Sequence, residues 1–166
     1  AVGDGHSFDA YRALGEPTGA LLATPWEAVA NSIVYATAAA LIALRATMRT
    51  SSRELPVEAR YRLPTEDDRD VTTLEPGELI LELDVPRPDA SVYLKAMDRQ
   101  RWSFPLVGVA AAGTGDERRL VLAGVAPIPW VLDSPEALDA ATPLPGTAYK
   151  VEIARALVRR ALETLA

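Results

Sequence analysis

Between Ala28 and Leu44 the chain carries no charged residue, reading AVANSIVYATAAALIAL. Thr24-Pro25-Trp26-Glu27 precedes this run. Thr24 suits an N-cap, Pro25 the first helical position, and Glu27 the reciprocal partner in a capping box. The pattern predicts a helix from Pro25 to about Met48 that is apolar on nearly all sides. Such a helix must be buried over most of its surface, or covered by a partner chain. It falls short of the ~20 apolar residues of a bilayer span, and it contains Asn31, Ser32 and Thr37. No basic residues lead the chain as they would in a signal peptide. A membrane role is not expected.

Bulk properties exclude several chemistries. Lys and Arg number 17 against 23 Asp and Glu, a net charge of −6, which disfavours binding to a nucleic-acid backbone. There is no cysteine, so disulfides, thiolate catalysis, iron–sulfur ligation and cysteine-zinc sites are absent. That composition suits the cytoplasm. The single histidine, His6, is expected at the surface. It leaves no Ser–His–Asp triad and no histidine-based metal site within one chain. Apolar residues make up 49% of the chain, enough for a sizeable core.

Residues 1–23 show no steady period and read as a loop, with one helical turn around Phe8–Leu14. Arg53–Val57 predicts a short strand. The charged stretch Arg62–Asp70 reads as a solvated loop, since Glu66, Asp67 and Asp68 lack the glycine and ligand spacing of a calcium loop. Pro76-Gly77 is a turn. After it Leu79, Leu81, Leu83 and Val85 alternate with Ile80, Glu82 and Asp84. Ser91–Met97, Phe104–Gly113 and Arg118–Ala126 predict three further strands. Asp133–Ala141 predicts a short helix and Ala148–Leu165 an amphipathic one. Its stripe is Val151, Ala154, Leu157, Val158, Ala161, Leu162 and Leu165. The expected fold is α+β: residues 75–166 form a two-layer lobe of antiparallel sheet with helices on one face, preceded by the long buried helix.

Four blocks in register resemble a known family. They are RLPTEDDRDVTTLEPGELILELDVP, SVYLKAMDRQRWSFPLVGVAAA, LVLAGVAPIPW and PLPGTAYKVEIARALVRRAL. In order they look like the C-terminal portion of the FAD-binding medium subunit of molybdenum hydroxylases, the xanthine dehydrogenase and carbon monoxide dehydrogenase family. The resemblance covers roughly residues 53–166. It implies two units: a truncated FAD-domain remnant at 1–74, with the helix 25–48, and a domain like the carbon monoxide dehydrogenase flavoprotein C-terminal domain at 75–166. It also implies FAD as cofactor and electron transfer as the role, with no catalytic acid or base in this chain.

The resemblance carries three flavin-contacting positions onto this sequence. Ile80 is the aliphatic residue just after the Pro-Gly-Glu turn, and Lys95 is the lysine of the next strand. Glu27 stands at a helix start, where the family pattern has an aspartate. Packing alone accounts for Ile80, a surface position for Lys95 and capping for Glu27. The family's glycine-rich phosphate loop has no counterpart in this sequence. Part of the flavin site must therefore come from elsewhere, either from partner subunits of a molybdenum hydroxylase complex or from a homo-oligomer. Two alternatives stand beside this reading. One is an interaction scaffold that dimerises through the helix at 25–48. The other is a repurposed small-ligand protein whose cleft is lined by Tyr93, Trp102, Trp130 and Tyr149.

Overall fold

The computed structural model describes residues 25–97 and 105–166, the side chains of 25–32 and 105 excepted. The helical turn expected at Phe8–Leu14, the side chain of Glu27, and the residues His6 and Trp102 lie outside the described part. Two helices and seven strands are described. They are α1 (Pro25–Ala43), β1 (Thr47–Thr50), β2 (Glu54–Pro56), β3 (Ile80–Asp84), β4 (Ala90–Met97), β5 (Pro105–Thr114), β6 (Glu117–Ala123), β7 (Trp130–Leu132) and α2 (Tyr149–Leu165). Single 3-10 turns occupy Val57–Arg60 and Pro135–Ala140.

The strands form two antiparallel sheets, β2-β1-β3 and β4-β5-β6-β7. The larger one organises the molecule, because the pleat divides its side chains between two cores. Val107, Val109, Ala111, Leu120, Leu122 and Leu132 face α2, and they pack with its buried Ala154, Leu157, Val158, Ala161 and Leu165. This is the expected two-layer lobe, with the α2 stripe where its periodicity puts it. The opposite face is Tyr93, Ala110, Ala112, Val121, Ala123 and Val131. It packs with Ala39, Ile42, Ala43, Ala46 and Met48, so α1 supplies a third layer. Small side chains on β5 admit the alanine-rich helix closely. Each large aliphatic residue buried this way contributes about 1.5–3 kcal/mol.

The pairing corrects two sequence expectations. The strand after Pro76-Gly77 was expected to open the C-terminal sheet. It is β3, and it pairs instead with β1, with Met48 opposite Leu83 and Arg49 opposite Glu82. The helix expected to reach Met48 stops at Ala43. Arg45 adopts a left-handed φ of 55°. The Ala46 N–H bonds the Leu41 carbonyl at 2.9 Å, and the Arg45 N–H bonds that of Ile42 at 3.0 Å. This is a Schellman stop built on an arginine where glycine is usual, so no glycine in the sequence announces it. The apolar run simply continues from helix into strand, and Ala46 and Met48 stay buried. β7, a three-residue strand after Pro127 and Pro129, had no sequence signal.

Gly108 sits opposite Lys95 and beside Tyr93 in this sheet. A Cβ added there would lie 2.4 Å from the Tyr93 hydroxyl oxygen. That hydroxyl is buried and has no hydrogen-bond partner among the described residues. Replacing Gly108 with Ala should therefore destabilise the fold by about 1–3 kcal/mol through overpacking. Tyr93→Phe should be neutral or stabilising by up to about 1 kcal/mol, because it removes an unpaired buried hydroxyl. Urea unfolding of both variants checks this. A Tyr93→Phe variant that loses more than about 1 kcal/mol would reveal a hydroxyl partner and refute the packing account.

Candidate functional site

The Glu75-Pro76-Gly77-Glu78 turn leads directly into Ile80. Proline sets the second position, and Gly77 takes the φ of 83° that the third position of a type II turn demands. The Glu78 N–H closes the turn on the Glu75 carbonyl at 2.9 Å. The Glu78 side chain then folds back and is only 1% exposed. It accepts the Thr50 hydroxyl at 2.6 Å, the Arg53 Nε–H at 3.1 Å and the Glu75 backbone N–H at 2.9 Å. Arg53 also donates to the Thr73 carbonyl at 2.6 Å. One carboxylate thus ties the β1–β2 turn to the turn that launches β3. The Thr50 hydroxyl, the Glu75 N–H and Arg53 together hold the Glu78 pKa down at about 2.

Ile80 is the first residue of β3. The register slips between Arg49 and Thr50, so Ile80 stands opposite Thr50, across a bulge that leaves Leu81 unmatched. The bulge takes Ile80 out of the plain alternation that the sequence suggested. Its side chain is 43% exposed. Lys95 lies in β4, on the other sheet, exposed and on the same face as Tyr93. The backbone of Glu27 is in the first turn of α1. The three candidates therefore sit on three different elements. Sequence reasoning missed Glu78, the residue that fixes Ile80 in place. Its signal was available in the motif, since a glutamate directly after Pro-Gly is well set to cap the turn it leaves.

Two surface grooves are found among the described residues, and neither Ile80 nor Lys95 lines them. One lies between α2 and the Pro135–Ala140 turn, where Leu138, Val158 and Leu162 meet Arg155, Arg159 and Glu163. The other lies at the C-terminal end of α1 and holds Arg45, Arg87, Glu117 and Arg119. Helix capping accounts for most of its charge. Arg119 donates to the Ile42 carbonyl at 3.1 Å and pairs with Glu58, and Arg45 pairs with Glu117 at 2.7 Å. The aromatic cleft is corrected by the pleat. Trp130 stands opposite Leu122, on the α2 side, whereas Tyr93 faces α1. Among the described residues there is no cluster of potential metal ligands, and no helix is long and apolar enough to cross a membrane.

An aliphatic surface and a cation are the side chains that one end of a flavin nucleotide would call on, and here the two lie on separate sheets with neither lining a groove. Ile80 gives an exposed aliphatic surface on a rigid turn, and Lys95 gives an exposed cation. The pyrophosphate end finds no cradle among the described residues. Gly115, the glycine of the β5–β6 turn, already gives its N–H to Asp89 at 2.8 Å.

The Glu78 network makes a pH prediction. Its pKa in the folded chain, about 2, lies below the ordinary 4.5. Its stabilisation is therefore complete above about pH 4.5 and is lost as the pH falls toward 2. Denaturant unfolding between these limits should show stability falling with acid in the native protein. The slope should be visibly flatter in Glu78→Gln. Equal slopes would show that the carboxylate is not held as described.

No family model matches the chain. It is 34% identical over 94 residues to the aldehyde oxidoreductase FAD-binding subunit PaoB of Escherichia coli, covering 55% of this chain and 30% of that protein. Among solved structures it superposes on carbon monoxide dehydrogenase from Hydrogenophaga pseudoflava with a TM-score of 0.64 at 20% identity, over 82% of this chain and 59% of that one. Quinoline 2-oxidoreductase from Pseudomonas putida gives a TM-score of 0.60 at 19% identity, over 81% and 59%. The chain thus spans less than two thirds of these relatives. Over these spans the chain is similar in sequence to part of an FAD-binding subunit, and in fold to part of carbon monoxide dehydrogenase and of quinoline 2-oxidoreductase.

Proposed function

We propose that this chain works as one part of an FAD-binding, electron-transferring unit of a molybdenum-hydroxylase-type oxidoreductase. The observation that carries the proposal is its sequence identity to an FAD-binding subunit, together with the fold it shares with carbon monoxide dehydrogenase. In this reading the chain covers the ring end of FAD, and partner polypeptides supply the pyrophosphate floor.

The chemistry belongs to the flavin, which when bound relays electrons between redox partners and an outer acceptor. This chain's residues bind and orient. Ile80, fixed by the Glu78-braced turn, offers an apolar surface that excludes water from one side of the ring. Lys95 offers a positive charge toward an electron-rich edge. Glu27 at the start of α1 offers a carboxylate to a polar group of the nucleotide. No residue here is asked to move a proton.

A second reading, self-association through α1, draws support from Ile33 and Val34, which are 61% and 59% exposed on that helix. Light scattering on dilute protein tests it, and a monomer at every concentration would exclude it.

The flavin reading is tested by purifying the chain together with the subunits encoded beside it. The complex should be yellow. Lys95→Met should weaken FAD binding about 5- to 30-fold, the cost of one charge-assisted hydrogen bond of roughly 1–2 kcal/mol. A colourless complex that ignores added FAD would rule the proposal out.

A further inference from the structure

β3 has the composition of a central strand and the position of an edge. Among the described residues it pairs only with β1. Leu79, Ile80, Leu81, Leu83 and Val85 are all exposed, Leu79 to 64% and Leu81 to 55%. Native edges are usually shortened, charged or blocked by proline; β3 carries Glu82 and Asp84 and is followed by Pro86, yet its aliphatic side chains stay bare. The opposite edge of the same sheet follows that rule, since β2 has three residues and ends at Pro56. The edge strand β4 is different again, because its Val92 and Leu94 pack against the α2 core. Only β3 presents a free backbone ladder and bare aliphatic side chains together.

Charge selects what fits there. β3 carries Glu82 and Asp84 and no basic residue. Arg49 of β1 neutralises Glu82 at 2.5 Å. No ion pair reaches Asp84 among the described residues. A second copy is a poor partner. Antiparallel pairing of two β3 strands sets Glu82 against Glu82 when centred, and against Asp84 or Ile80 one in-phase step to either side, and each register gathers four carboxylates along the seam. Like charges directly opposite destabilise a sheet.

We propose that β3 accepts a strand from a partner polypeptide. The partner segment is extended, with apolar side chains on alternate positions and a basic side chain facing Asp84. The inference concerns the protein partner and holds whether or not flavin is bound.

The probe is a ten-residue peptide of alternating valine and lysine, N-methylated along one edge so that it cannot stack on itself, with a scrambled peptide of the same composition. Binding to the full chain is followed by fluorescence anisotropy and by hydrogen exchange at residues 80–85. The alternating peptide should bind and slow exchange there, and the scramble should bind at least tenfold more weakly. The variant Leu81→Ser/Leu83→Ser, both at exposed positions and checked for native circular dichroism, should lose at least tenfold in affinity. The idea is overturned by equal binding of both peptides, by binding that survives the double variant, or by no binding. It is also overturned if the amides of β3 that point away from β1 are already protected in the monomer, meaning that the chain covers its own edge. Protection that appears only in a concentration-dependent dimer would assign the edge to a second copy and overturn it likewise.

Discussion

The structure depends on a four-stranded sheet that is apolar on both faces. A sheet of this kind cannot sit at a surface, so each face needs its own cover. α2 covers one face with a stripe of ordinary helical amphipathicity. α1 covers the other by a different device. Ala110, Ala112 and Ala123, with Gly108 beside them, leave a shallow surface against which Ala39, Ala43 and Ala46 seat. The charge-free run serves this contact at its C-terminal end, where Ala38, Ala39, Ile42 and Ala43 are buried. Where α1 leaves the sheet, at Ile33 and Val34, the same composition stays exposed.

Much of this was legible in the residues. β4, β5 and β6 fall close to their expected spans because alternation and Gly or Pro punctuation coincide there. α2 was readable because its buried Leu157, Val158 and Leu165 recur at helical spacing. The failures have physical causes. The end of α1 was hidden because Arg45 takes a left-handed conformation that no sequence rule assigns to arginine. The partner of β3 was hidden because alternation reports that a strand exists and never which strand lies beside it. The α1–β1 junction and the β1–β3 ladder are long-range facts, settled by Met48 being buried between helix and sheet.

The candidate site was legible only in part. The resemblance named Ile80 and Lys95, and the structure sets them on separate sheets, each exposed. What it adds is Glu78, whose carboxylate gathers Thr50, Arg53 and the Glu75 amide into one brace. That brace holds the turn that leads into Ile80, which a free loop would not provide. The Tyr93 hydroxyl, buried against Gly108 on the same face as Lys95, shows that packing there is tight as well.

At the centre of the proposed function is a divided site, in which these residues offer a ring-side surface and the pyrophosphate is held elsewhere. Calorimetric titration of FAD into the chain by itself tests this most directly. The account predicts no saturable heat in the micromolar range, because the most highly charged part of the nucleotide finds no cradle of donors among the described residues. Stoichiometric, tight binding of FAD by the lone chain would contradict it.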